Sequence, residues 1–191
     1  MTNLMRNIRI EKITLNIGAG KNQKLIDKGQ ILIKQITGIE PVKTITNKRI
    51  PGWGLRPGLP IGCKLTLRKE KAYEVLARLI EAKDNILKES SFDDNGNVSF
   101  GIHEYIDIPG TEYMPEIGIM GLQVSVTLER PGFRIKKRVL TKKSIPSKHA
   151  ISKQESIQFI QDRFKIKFGE DQWVIAIIQK FSNSLNPSLQ N

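Results

Sequence analysis

The stretch Leu122-Gln123-Val124-Ser125-Val126-Thr127-Leu128-Glu129 decides the fold. Aliphatic and polar residues alternate through all eight positions, which is the period of a β-strand with one buried face and one solvated face. Pro131-Gly132 then ends the strand. Half-polar strands are typical of antiparallel or mixed sheets, whereas fully covered parallel sheets contain continuous apolar runs. The stretch therefore predicts a sheet that is packed on one side and open on the other.

Other segments share this pattern. Residues 62–69 place Cys63, Leu65 and Leu67 opposite the polar residues Lys64, Thr66 and Arg68. In residues 8–17 the apolar positions change phase, and a bulge near Lys12 would reconcile the two halves of one strand. Shorter strands are predicted at 42–48 and 98–102.

Three segments have helical periodicity. The first begins near Lys24 and stops at Gly38, with Leu25, Leu32, Ile33 and Ile36 on its predicted apolar face; the second spans 69–88, with Tyr73, Leu76, Leu79, Ile80 and Leu87. Ser152 and Glu155 have capping-box spacing at the start of a third helix, which runs to Phe164. Strands and helices do not alternate strictly, so we expect an α+β fold: an antiparallel or mixed sheet, helices on one face, and the other face open. Residues 1–170 are predicted to form one domain, followed by an extension of unassigned role at 171–191.

The charge is unevenly distributed. The chain has a net charge of +12, which favours a polyanionic partner because binding of phosphate releases condensed counterions. Residues 41–69 contain seven basic residues and no acid, and residues 130–148 contain eight and no acid. The rest of the chain is slightly acidic. Two phosphate-binding surfaces are therefore predicted, the second, called here the basic segment, carrying Arg130, Arg134, Lys136, Lys137, Arg138, Lys142, Lys143 and Lys148.

The sequence lacks the signatures of most other classes. Cys63 is the single cysteine, and His103 and His149 are far apart without nearby ligand partners, so no metal, cofactor or nucleophilic catalysis is expected. No apolar run reaches the length of a membrane span and no signal core opens the chain, so we expect a cytoplasmic protein without membrane contact. An RNA-modifying enzyme or a free RNA chaperone would each be an alternative, but the first requires a catalytic constellation that is not found.

Two motifs resemble ligand sites incompletely. Gly18-Ala19-Gly20 lies between a strand and a helix, but Gln23 replaces the third glycine of a dinucleotide fingerprint. Asp93 begins a partial calcium-loop register in which Val98 occupies the position that needs glycine. We interpret the first as a structural turn and Asp94-Asn95-Gly96 as a hairpin turn.

Residues 49–60 form a predicted projecting loop, because three prolines and three glycines disfavour regular pairing. Trp53 with Arg49 and Arg56 could stack on RNA bases or ribose. Alternatively, Trp53 could fold back and anchor the loop on the protein.

Several motifs, in order, resemble one family: Arg9-Ile10-Glu11-Lys12, Asn16-Ile17-Gly18-Ala19-Gly20, Ile36-Thr37-Gly38, Pro60-Ile61-Gly62, Lys64-Leu65-Thr66-Leu67-Arg68, Phe92-Asp93-Asp94-Asn95-Gly96-Asn97, Gly118-Ile119, Gly121-Leu122 and Arg130-Pro131-Gly132. The chain resembles the universal large-subunit ribosomal protein numbered five in bacteria and archaea and eleven in eukaryotes. The resemblance covers residues 8–168, and its 130–133 and 144–149 segments are similar to the archaeal and eukaryotic branch.

The resemblance implies a structural protein of the central protuberance that binds 5S rRNA and large-subunit rRNA. It also implies contact with peptidyl-site tRNA through loop 49–60 and with neighbouring ribosomal proteins. Asn16 and Thr66 match 5S rRNA contacts of the family, while a third contact, commonly Gln, is Ile39 here. The predicted 5S rRNA contacts are Asn16, Lys43, Lys64, Thr66 and Arg68.

Overall fold

The computed structural model describes residues 3–169 and contains a five-stranded antiparallel sheet. Its strands are β1 (Arg9–Gly18), β2 (Val42–Ile45), β3 (Pro60–Leu67), β5 (Asn97–Ile102) and β6 (Leu122–Glu129), in the order β2-β3-β1-β6-β5. A separate two-stranded parallel pair joins β4 (Ile86–Leu87) to β7 (Lys167–Phe168). The predicted α+β class and the one-sided sheet are confirmed.

Strand β1 lies at the centre and contains the predicted bulge. Its register with β6 shifts between Ile10 and Lys12, so the buried positions change phase there. After the bulge Ile13, Leu15 and Ile17 are buried and face the core. The bulge therefore lets one long strand keep its apolar side chains on the same face.

Two helices cover the apolar face of the sheet. Helix α1 (Gln23–Thr37) begins at Asn22, whose side chain accepts a hydrogen bond from the backbone of Leu25, and ends at Gly38 in the left-handed conformation. Helix α2 (Glu70–Glu81) buries five apolar side chains: Ala72, Val75, Leu76, Leu79 and Ile80. On α1 the buried residue of the first turn is Ile26, while the predicted core residue Leu25 is exposed.

The predicted second helix was too long. Asp84 and Asn85 adopt positive φ values of 56° and 58°, which terminates helical geometry soon after Glu81. Leu87 consequently belongs to β4, where it pairs with Phe168. The predicted strand 42–48 is also shorter, because Thr46 already bonds Leu59 at the base of the following loop.

The basic segment contains the short helix α3 (Arg134–Lys137) and leads into α4 (Lys153–Phe164). The predicted capping box of α4 is present: the Ser152 hydroxyl accepts from the Glu155 backbone, and the Glu155 carboxylate accepts from the Ser152 backbone. The Asp94-Asn95-Gly96 turn also forms as predicted, with Gly96 at φ 78°. The predicted extension 171–191 lies outside the described residues.

Close approach of β1 and β3 requires a glycine at position 62. A Cβ at Gly62 would overlap the Ile17 carbonyl oxygen, whereas a Cβ at its pairing partner Gly18 would meet nothing within 4 Å. We predict that Gly62→Ala lowers the free energy of unfolding by about 1–3 kcal/mol through overpacking. Gly18→Ala is the matched control and should shift it by less than about 0.5 kcal/mol. Urea unfolding of both variants measures the difference, and equal stabilities would contradict this interpretation of the contact.

Candidate nucleic-acid interface

The open face of the sheet presents ordered rows of polar side chains. Asn16 of β1 is paired with Lys64 of β3 on one side and with Gln123 of β6 on the other. Its amide nitrogen donates to the Gln123 side-chain oxygen at 3.1 Å. The next row contains Thr14 between Thr66 and Ser125. Hydroxyl, amide and ammonium groups therefore lie side by side on this face, as recognition of ribose and phosphate requires.

Cations border these rows at one end of the sheet. Arg68 is exposed and directly follows Leu67, the last residue of β3, which pairs with Ile13 of β1. Lys12 precedes Ile13 and pairs with Thr127 of β6. Sequence analysis missed Lys12 as a candidate contact, although continuing the alternation backwards from Asn16 and Thr14 would have placed it on the open face.

The basic segment folds against this same end of the sheet. A cleft of about 530 Å³ is lined by Lys12, Asn97 and Thr127 from the open face and by three lysines of the basic segment: Lys136, Lys137 and Lys142. The two kinds of surface predicted from the sequence are thus joined at one site. Six cations of the basic segment are exposed: Arg134, Lys136, Arg138, Lys142, Lys143 and Lys148.

Lys137 attaches the basic segment to the sheet. Its ammonium group bonds Glu11 in the bulge of β1 and lies 3.3 Å from Glu129 at the end of β6. Glu129 is also paired with Arg9 at 2.8 Å. With two carboxylates as its neighbours, Lys137 positions helix α3 and offers less charge to a nucleic acid than the other lysines of the segment.

Arg130 has a different place from the one predicted. Its side chain is 5% exposed, so it does not belong to the contact surface of the basic segment. The guanidinium donates to the backbone oxygens of His149 and Ala150 at 3.3 and 3.0 Å, and to Glu155 at 2.6 Å. Burial of a guanidinium requires such partners, because an unpaired charge in the interior is very unfavourable. Arg130 therefore joins the two ends of the segment.

Lys43 is separated from the other predicted 5S rRNA contacts. It pairs with buried Cys63, so its side chain is on the helix side of the sheet, where it lies 2.9 Å from Asp27 of α1. The hydrogen bond from Lys43 lowers the pKa of Asp27. Asn16, Lys64, Thr66 and Arg68 remain together on the open side.

Loop 49–60 extends from the opposite end of the sheet. Ile50 and Leu55 form an isolated bridge that closes a turn around Pro51–Trp53. Leu55 is buried and holds the turn to the protein, whereas Trp53 is 70% exposed. The structure thus opposes the alternative in which Trp53 anchors the loop. Arg49 and Arg56 are also exposed.

Comparison with known proteins shows the family to which the chain belongs. Residues 3–56 match the family described as ribosomal protein L5, and residues 60–159 match the model that describes the C-terminus of the same ribosomal family. The chain belongs to the ribosomal protein L5 family. It is accordingly a structural component of the large ribosomal subunit and not an enzyme.

Archaeal relatives of this L5 family member share most of its length. The large ribosomal subunit protein uL5 of Nanoarchaeum equitans is 48% identical over 168 residues, which cover 87% of this chain and 99% of that protein. The protein of the same name from Sulfolobus acidocaldarius is 46% identical, with 88% and 94% covered. That of Methanobrevibacter smithii is 43% identical, with 87% and 98% covered. The resemblance found in the sequence is confirmed.

A long stretch of this L5 chain, which includes β5 and β6, contains acidic residues and no cations. Residues 89–129 contain eight Asp and Glu and no Lys or Arg. Glu104, Asp107, Glu112 and Glu116 are exposed there, with Ile106, Tyr113 and Ile119 among them. Sequence analysis noted the excess of acid outside the basic segments but did not locate it. The exposed carboxylates of residues 104–119 would repel phosphate, whereas Asn97, Ser125 and Thr127 of the same stretch belong to the open face.

Cys63 and the turn at Asp93 both have structural places in the fold. Burial raises the pKa of the Cys63 thiol to about 11, so it is protonated and shielded at neutral pH. Asp93 accepts hydrogen bonds from Asn95 and Asn97 within its own turn, and across residues 3–169 no group of three or more potential metal-binding side chains occurs. Among the same residues, none of the helices is both long and apolar enough to span a membrane.

The Arg130 and Glu155 contact predicts a pH dependence of stability. The Ser152 backbone, and then the Arg130 guanidinium, hold the pKa of Glu155 below its ordinary value of 4.5 despite partial burial, which raises it. A lowered pKa in the folded state contributes stability above pH 4.5, and this contribution is lost as the pH falls through the folded value. Glu155→Gln should therefore be less stable than the parent at neutral pH, and the gap should close below pH 4.5. Thermal unfolding from pH 7 to pH 3 measures the difference in stability between the two proteins. A difference that stays constant over this range would show that the ionised Glu155 carboxylate does not stabilise the fold.

Proposed function

We propose that this L5 family member binds 5S rRNA and large-subunit rRNA in the central protuberance of the cytoplasmic ribosome. The open sheet face would bind 5S rRNA through Asn16, Lys64, Thr66 and Arg68, with Lys12 added. The basic segment would bind rRNA phosphates. The observation that supports this best is the cleft in which Lys12, Asn97 and Thr127 meet the lysines of the basic segment.

The sheet face suits structured RNA because its groups can hydrogen-bond ribose hydroxyls as well as phosphates. Thr14, Thr66 and Ser125 form one row of hydroxyls, and each hydroxyl can donate and accept. Lys64 lies one row further along β3 and adds charge. RNA helices present their 2′-hydroxyls in a wide, shallow minor groove, which a flat polar sheet can approach.

The basic segment suits phosphate because its exposed cations have few carboxylates nearby. Of its eight cations, Arg130 is buried and Lys137 contacts Glu11 and Glu129. The other six are exposed. Arg130 and Lys137 fix the segment at its base, so binding would pay less of the entropy of ordering a loop.

Loop 49–60 is the proposed contact with peptidyl-site tRNA. The loop leads directly into Pro60, the first residue of β3. The basic segment follows Glu129, the last residue of β6, at the opposite end of the sheet. The exposed Trp53 ring and the flanking arginines can stack on bases and bind phosphate. This separation would let one protein bind rRNA and reach a second RNA at the same time.

Neighbouring ribosomal proteins would use the acidic side. Residues 104–119 combine exposed carboxylates with exposed Ile106, Tyr113 and Ile119. Phosphate is repelled by such a surface, whereas a basic protein segment with apolar side chains would complement it.

The electrostatic part of the proposal predicts a change in salt dependence. Lys136→Gln with Lys142→Gln should weaken binding of rRNA and flatten the plot of log affinity against log salt by about 0.7–0.9 per lost phosphate contact. The measurement is fluorescence anisotropy with 5S rRNA and with large-subunit rRNA fragments across a salt series. Lys24→Gln with Lys34→Gln is the matched control, because both lysines are exposed on α1, behind the sheet. If both double variants weaken rRNA binding equally, the cleft is not the phosphate-binding site.

A second prediction separates the loop from the sheet. Trp53→Ala with Arg56→Ala should leave affinity for 5S rRNA within about twofold, because both residues are exposed and lie in the loop outside the strands of the sheet. The same variant should weaken tRNA binding in the peptidyl site of assembled ribosomes. Filter binding of deacylated tRNA measures the second effect. Thr66→Val with Lys64→Gln should weaken binding of 5S rRNA and leave tRNA binding in the peptidyl site unchanged. Loss of 5S rRNA binding in the loop variant would show that the loop is misassigned.

A further inference from the structure

The turn in the middle of the basic segment carries two aliphatic side chains, Val139 and Leu140, that the charge of the segment does not explain. Val139 is 95% exposed and Leu140 is 81% exposed, the highest values among the large hydrophobic residues of the described chain. The other large apolar residues of the segment are less exposed: Ile135 is 39% exposed, Phe133 packs against the core cluster, and Ile145 is half-buried. Exposure of two adjacent aliphatic residues at one tip is unfavourable in water and is typical of a contact surface.

The tip has a defined backbone. Arg138 donates from its Nε to the Thr141 backbone oxygen at 3.0 Å, and Thr141 adopts a positive φ of 52°. Below the turn, the Lys143 N–H donates to the Ile135 oxygen at 3.4 Å. Further down, Arg130 joins the ends of the segment. The two aliphatic side chains are thus held outward by a closed turn.

The charges around the tip favour RNA as its partner. Arg138 precedes the aliphatic pair, Lys142 and Lys143 follow Thr141, and no acid occurs anywhere in residues 130–148. Ile119 is similarly exposed, at 73%, but lies in the stretch without Lys or Arg. The surroundings of Ile119 are mixed, because Lys28 of α1 donates to the Ile117 carbonyl oxygen. The tip is surrounded in sequence by cations alone, and it therefore complements phosphate.

We propose that Val139 and Leu140 form a wedge that packs against unpaired nucleobases of ribosomal RNA, while the flanking cations bind the adjacent phosphates. This inference rests on the proposed rRNA binding by the basic segment and specifies which RNA structure the tip recognises. Aliphatic groups cannot hydrogen-bond the phosphates and 2′-hydroxyls that line an intact RNA helix. The apolar faces of bases become accessible in bulges, loops and unstacked steps.

The test compares charge-neutral variants in the full chain. Val139→Ser with Leu140→Ser should lower affinity for rRNA about tenfold or more, since burial of two aliphatic side chains is lost, and should leave the slope against salt unchanged because no cation is removed. Ile119→Ser is the matched control and should leave affinity unchanged. Fluorescence anisotropy with rRNA fragments that contain a bulge, and with fully paired duplexes of equal length, measures both quantities. The loss should be confined to the bulged RNA.

Three outcomes would overturn the wedge. Unchanged affinity of the tip variant, with Lys142→Gln and Lys143→Gln still weakening binding, would reject the wedge and keep the phosphate contacts. Unchanged affinity in both variants would reject the proposed function of the segment as well. Finally, a photoreactive diazirine amino acid at position 140 should cross-link to RNA bases in intact large subunits, and cross-linking to a protein in its place would identify a different partner.

Discussion

The alternation of side chains in an antiparallel sheet is the constraint on which the rest of this structure depends. Burying Ile13, Leu15 and Ile17 beneath α1 and α2 requires their neighbours Thr14 and Asn16 to point the other way. Strand pairing then aligns those neighbours with residues of β3 and β6. The same backbone geometry thus forms the core and arranges the polar rows. A register slip of one residue would exchange the two faces, so stability and the proposed RNA surface share one determinant.

The bulge in β1 connects this constraint to the basic segment. The shift between Ile10 and Lys12 leaves Glu11 near the start of the central strand β1, where its carboxylate bonds Lys137. Glu129, one residue before Arg130, forms ion pairs with both Arg9 and Lys137. Carboxylates at the ends of β1 and β6 therefore hold the base of a highly charged loop. Exposed ion pairs contribute little individually, but several of them fix the direction in which the loop leaves the sheet.

The regular part of the molecule was predictable because it follows local rules. The strand at 122–129, the bulge near Lys12, the Gly38 stop and the Ser152 capping box depend on spacing within a few residues, and all were found. Prediction failed where a distant contact decides the outcome. Leu87 pairs with Phe168, Lys43 turns to Asp27, and Arg130 is buried against Glu155. Counting charges in a segment cannot show which ones the fold has already neutralised.

The cations and carboxylates that the fold leaves exposed lie in different regions of the molecule. β1 spans ten residues, or about 30 Å, with the basic segment beside its start and loop 49–60 beyond its end. The acidic residues lie before and after the edge strand β5, which itself contains none. Two cationic regions on one axis and an acidic region to the side allow one orientation against a folded polyanion and disfavour the reverse, in which carboxylates would face phosphate. Segregation of charge therefore contributes orientation as well as affinity, which a uniformly basic protein of the same net charge would lack.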